Sequence, residues 1–149
     1  EYVKPENQKD GYIQRLTRTG VFRDLFKMEF FDATYAGPDT VRLLRCIGHL
    51  HVAAIGIYLE DANTGETVCK GEGTYGTNPA QDKGFLTSID VESFNPPLEF
   101  SADRQVTLVT EYNATELHTG VMGMYFVFIS SDNQITKNEA SLSVDICRD

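Results

Sequence analysis

The chain has 149 residues, 41% hydrophobic and 23% charged, with a net charge of −9. That size and mix suit one domain with a real hydrophobic core. The acidic balance and the lack of any basic run argue against nucleic acid as a partner, and no apolar stretch is long enough to span a bilayer.

In chain order, residues 1–20 stand apart. Glu1 to Gly11 is polar and aperiodic, and Tyr12, Ile13, Leu16, Val21, Phe22, Leu25 and Phe26 follow at loose spacing. This reads either as a tail leading into an edge strand or as an extended arm that pairs with another subunit. The domain division is therefore 1–20 as arm or tail and 21–149 as one β-domain. Leu25 to Phe31 alternates in part, with Lys27 and Glu29 on one face. Ala36-Gly37-Pro38-Asp39 signals a turn. Val41 to Cys46 predicts a strand, and so does the run from Gly48 to Leu59. Asp61 to Gly65 reads as a hairpin loop, with Asp61 and Glu66 as its solvated flanks and Glu66 to Lys70 as the return. A glycine-rich loop is expected from Gly71 to Gly84. Phe85–Val91 and Leu98–Phe100 are short strand candidates separated by Asn95-Pro96-Pro97. Arg104 to Tyr112 alternates well. Gly120 to Ile129 is apolar on both faces, which predicts a central strand. Leu142, Val144 and Ile146 alternate with polar residues in a last, half-exposed strand. Short strands between turn signals, with almost no helical period, predict an all-β antiparallel sandwich.

Of the three histidines, two form Gly48-His49-Leu50-His51. Positions two apart on a strand share a face, so His49 and His51 present two imidazoles side by side, half of a copper or zinc site. The third lies in His118-Thr119-Gly120-Val121-Met122, where the glycine permits a tight turn that brings a thioether toward an imidazole. Two nitrogens and one soft sulfur suit copper, Cu(I) above all. Met122 and Met124 read by themselves are core filler. The three cysteines, Cys46, Cys69 and Cys147, allow one disulfide and one thiol, and their spacing does not choose the pair. Asn113-Ala114-Thr115 is an N-glycosylation acceptor triplet. The chain starts at Glu1 without methionine, which reads as a processed or excised segment and leaves secretion open. Glu72 has no partner that would make it a general base.

His49-Leu50-His51, Gly65-Glu66-Thr67-Val68-Cys69, Tyr75-Gly76-Thr77 and His118-Thr119-Gly120-Val121-Met122-Gly123 stand in that order. This set resembles the C-terminal copper domain of the copper type II, ascorbate-dependent monooxygenases (peptidylglycine α-hydroxylating monooxygenase-like), and more closely the plant stress-up-regulated nodulin-like proteins. The resemblance implies a jelly-roll-like β-sandwich in which His49, His51 and Met122 hold one copper ion. His118 would support them as a neighbour or act as a replacement ligand. The monooxygenases need a second copper site with three more histidines, so the resemblance implies copper binding without catalysis by this chain alone. It also implies a disulfide arrangement. The plant proteins carry a cysteine near the position of Val91, and with none there Cys69 loses that partner, which leaves Cys46 with Cys147 and Cys69 as a buried thiol. The expected setting is extracellular or secretory. The rival reading is a structural subunit of an extracellular assembly or fibre, self-associating as a homo-oligomer through residues 1–20. A third is one half of a two-domain oxidase.

Overall fold

The computed structural model describes residues 2–3, 13–26, 39–115, 117–130 and 140–145. The alternation that the sequence shows is what builds its two main sheets. On β3 (Thr40–Leu50), Val41, Leu43, Cys46 and Leu50 are buried while Arg45 and His49 point outward, and a bulge between Leu43 and Arg45 keeps both halves in phase. On β10 (Gly123–Ser130), Tyr125, Val127 and Ile129 are buried and Met124, Phe126 and Phe128 are half-buried on the other face. β10 lies between β11 (Ala140–Asp145) and β3, the interior place that an apolar strand predicts, and β7 (Val91–Ser101) closes the order β11-β10-β3-β7. The second sheet runs β2-β8-β4-β5-β6, from β2 (Ile13–Val21), β8 (Gln105–Asn113), β4 (Ala54–Asp61), β5 (Thr67–Tyr75) and β6 (Leu86–Ile89). A two-stranded ribbon pairs β1 (Tyr2–Val3) with β9 (His118–Thr119). Among the described residues the named strands pair antiparallel throughout. The two larger sheets bury one continuous core between them, with Val41, Leu43, Tyr125 and Val127 from one and Ile57, Leu59, Val106 and Leu108 from the other. The protein is the expected all-β antiparallel sandwich, with open sheet edges rather than a closed barrel.

Several boundaries differ from the sequence reading. Residues 13–20, read either as a tail leading into an edge strand or as an arm, belong to the edge strand β2 and pair with β8 of the same chain, from Ile13 opposite Asn113 to Val21 opposite Gln105. The strand was hard to see because it is an edge strand with mostly exposed side chains, so it carries charge instead of a clean apolar period. Arg15, for example, pairs with Glu60 and lies 3.6 Å from Glu111. Leu25 ends a short helix, α1 (Phe22–Leu25), rather than starting a strand. The helix inserts an aromatic plug under the core: Phe22 stacks on Phe26 at 4.6 Å and meets Phe100 edge-on at 5.1 Å. Residues 27–31 and the turn at 36–38 lie outside the described residues, as does Ile146. Gly71 and Gly73, read as loop, lie inside β5. Asn95-Pro96-Pro97 does not divide two strands: it sits in β7, where the register jumps between Ser93 opposite Arg45 and Leu98 opposite Leu43. An edge strand tolerates proline there, since one side needs no ladder hydrogen bond.

The β4–β5 hairpin corrects another expectation. Asp61 is not solvated: it is buried, and its Oδ1 accepts the amide N–H groups of Asn63 at 2.8 Å and Thr64 at 2.9 Å. Its Oδ2 accepts from Arg104 Nε at 2.7 Å, and that guanidinium lies over the Phe100 ring at 5.5 Å. The Thr64 amide, then Arg104 and the Asn63 amide, hold the carboxyl down from 3.8 to about 2. A depressed carboxylate contributes stability above its unfolded value and loses it as pH falls through the folded one. Acid unfolding followed by circular dichroism is therefore expected to show stability falling between about pH 4 and about pH 2 in the native chain. Asp61→Asn should flatten that dependence, and an unchanged acid limb would remove Asp61 as its source.

The disulfide is also corrected. Cys46 of β3 bonds Cys69 of β5, with Cα atoms 6.6 Å apart. Both face inward from opposite sheets and are 0% and 1% exposed. Cys69 is thus not a free thiol and Cys46 does not pair with Cys147, which lies outside the described residues. The bond staples one sheet to the other through the core, a partnership set by how the layers stack and not by sequence spacing.

Candidate metal centre

β3 ends at Leu50 and the chain leaves it through a turn closed by the Ala54 N–H donating to the His51 carbonyl at 3.2 Å. Ala53, the third residue of that turn, has φ of 67°. Alanine costs about 1 kcal/mol in that left-handed region, so neighbours must hold it. The Asn113 N–H donates to the Ala53 carbonyl at 2.7 Å. The Tyr75 hydroxyl lies 2.5 Å from the Ala54 carbonyl and 3.1 Å from that of His51, and burial pushes this phenol up. The Tyr75-Gly76-Thr77 motif thereby acquires a role that its sequence did not announce: its first residue clamps the turn that carries His51.

The clamp fixes the imidazoles. His49 Nε2 and His51 Nε2 are 3.0 Å apart, with ring centroids 4.9 Å apart and planes at 70°. His51 Nδ1 lies 3.2 Å from the Gly120 carbonyl. A carbonyl only accepts, so Nδ1 carries the proton and donates it. His51 Nε2 is left with its lone pair, which accepts a hydrogen bond from the His49 Nε2–H, a proton that a metal ion between the rings would replace. Two nitrogens on one first-row metal ion at ~2.0 Å, at right to tetrahedral angles, are about 2.8–3.3 Å apart. The separation of 3.0 Å here falls within that range. Gly120 has φ of 72°, which glycine adopts freely. The expected tight turn is therefore present, and it delivers a carbonyl to His51 Nδ1.

After that turn the chain enters β10 beside β3. The His51 N–H donates to the Met122 carbonyl at 3.0 Å, and Met124 is the direct partner of His49. Between them Gly123 faces inward, where a Cβ would come within 2.6 Å of the Thr110 hydroxyl. Leu50 and Val121, each 3% exposed, face inward too. Both methionines therefore lie on the outward face with the histidines, half-buried. Read by themselves as core filler, Met122 and Met124 are instead half-buried rather than fully buried. The signal for their shared face was available, because Met122 and Met124 repeat the two-residue spacing of His49 and His51.

His118, on β9, lines an open cleft of about 430 Å³ together with Val52, Ala54, Tyr75 and Asn113. Among the described residues no three His, Cys, Asp or Glu side chains gather in one place, so His118 does not join the imidazole pair. Asn113 is exposed at the end of β8, and its Oδ1 accepts the Thr115 N–H at 3.0 Å.

The fold and the site define a class: an antiparallel β-sandwich that displays two imidazoles and two thioethers on the outer face of adjoining strands. A family model described as Stress up-regulated Nod 19 matches residues 33–132, a span that includes both the histidine and the methionine pairs. The chain belongs to the stress up-regulated Nod 19 family. No curated protein and no solved structure matches it.

Proposed function

We propose that this chain is an exported β-sandwich that binds one copper ion through His49, His51 and Met122 and does not catalyse a reaction alone. The observation that carries the reading is the 3.0 Å approach of the two Nε2 atoms, with His51 Nδ1 held by the Gly120 carbonyl. A hydrogen bond of that kind behind a metal-ligating imidazole orients the ring and fixes its tautomer. The disulfide is compatible with the secretory route, as is the exposure of Asn113 for glycosylation. No helix among the described residues is long and apolar enough to cross a membrane. The likeness of the four motifs to the monooxygenase copper domain supports the choice of metal. With three histidines in the chain, the second copper site of those enzymes has no ligand set here.

Copper titration of the native chain and of His51→Ala tests this. The native chain should take up one equivalent, and His51→Ala should bind more than about 100-fold more weakly, beyond the loss usual for an outer-shell partner. Equal binding by both proteins would end the metal reading.

The structural-subunit reading draws on a different observation. β2 is the last strand of its sheet and pairs only with β8 among the described residues, an edge that accepts an added strand. Removing residues 1–12 leaves β2 in place. Under this reading the truncated chain should run as a monomer and the full chain as a larger species in light scattering, and two monomers would dismiss it.

A further inference from the structure

We infer that Met124 is a second thioether donor, so that the site takes a soft monovalent ion, Cu(I), in a two-imidazole, two-thioether set. This rests on the copper reading and goes beyond its three ligands. The register is the argument. Met124 is the Cα partner of His49, and the His51 N–H bond to the Met122 carbonyl sets Met122 against His51. The four residues thus form a two-by-two patch on one face, where side chains of cross-strand partners start about 4.5–5.5 Å apart at Cβ. A methionine side chain has three rotatable bonds and spans that gap with ease.

The donor inventory points the same way. Among the described residues no third His, Cys, Asp or Glu joins the imidazole pair. The cross-strand partners Met122 and Met124 offer an ion there two sulfurs beside the imidazoles, and all four of these donors are neutral. Zn(II) sites draw on thiolate, imidazole and carboxylate, and Ca(II) or Mg(II) on oxygen. Thioethers select Cu(I). The half-burial of Met122 and Met124 beside Phe126 keeps the patch partly dry, which favours a soft ion of low charge over a hard one of high charge.

Ag(I) is a redox-silent stand-in for Cu(I), and the chain has three methionines, Met28, Met122 and Met124. With methionine methyl groups labelled with carbon-13, Ag(I) titration of the full native chain should move the Met122 and Met124 signals together and saturate at one equivalent, leaving Met28 in place. Met124→Leu, nearly equal in volume, should lower Cu(I) affinity at least about tenfold in competition with a Cu(I) chelator, and Cu(II) affinity much less. If the Met122 methyl moves and the Met124 methyl does not, the second thioether is wrong while the three-ligand copper site stands. If neither methyl moves and copper does not bind, both fall.

Discussion

Phe22→Ala is expected to lower the unfolding free energy by about 3–5 kcal/mol, the range for deleting a buried aromatic ring. Phe22 is fully buried and stacks on Phe26 while meeting Phe100 edge-on. Its backbone is fixed as well: the Phe22 N–H donates to the Arg104 carbonyl at 2.9 Å and the Arg23 N–H to the Ala102 carbonyl at 3.0 Å. A backbone tied at both positions cannot slide to refill the space, so the loss should sit at the high end of the range. Urea unfolding monitored by circular dichroism measures it directly. Phe22→Leu, which keeps most of the volume, should cost less than half as much. Equal effects from the two variants would mean that ring geometry, not filled volume, sets the energy.

Replacing Cys46 and Cys69 together by alanine should cost about 3 kcal/mol, the chain-entropy value for closing a loop of this size. The two cysteines are 23 residues apart in sequence. The bond closes the β3–β4–β5 segment across the core, so the oxidised unfolded chain keeps a loop that the double variant lacks. Denaturation of the native chain with and without reductant, beside the double variant, gives the comparison. The reduced native chain and the variant should unfold at similar denaturant concentrations. Because the removed sulfurs also filled buried space, a variant as stable as the oxidised chain would contradict both parts of the argument.

How much of this was legible beforehand varies with the kind of interaction. Alternating burial is a local property, so Val41 to Cys46, Arg104 to Tyr112 and the interior strand from Gly123 could be read directly. The turn at Asp61 to Gly65 was equally local, although nothing in sequence shows that Asp61 will be buried by Arg104, 43 residues away. β2 was legible only in part, as one of two readings, because an exposed edge strand has little apolar face to display. The disulfide depended on which inward residues of β3 and β5 meet across the layers, and that is decided by bulges such as the one at Leu43 and Arg45. The site was legible by halves. The expected strand from Gly48 to Leu59 is broken by the turn after Leu50, which leaves His49 on β3 and His51 just past its end, yet the two imidazoles still meet as their two-residue spacing suggested; the same spacing in Met122 and Met124 puts those residues opposite them. The Tyr75 clamp and the Gly120 carbonyl were invisible because they join residues 24 and 69 positions from His51.

The sheet-to-sheet staple has a consequence for the imidazoles. Cys46 sits three positions before His49 on one strand, so the backbone at the covalent anchor lies about 10 Å along the strand from that of His49. Tyr75 grips the far side of His51 from the same strand that holds Cys69. The pair is thus pinned fore and aft to a single opposing ribbon. A guest arriving there has little disorder to freeze out, so more of its contact energy survives as affinity.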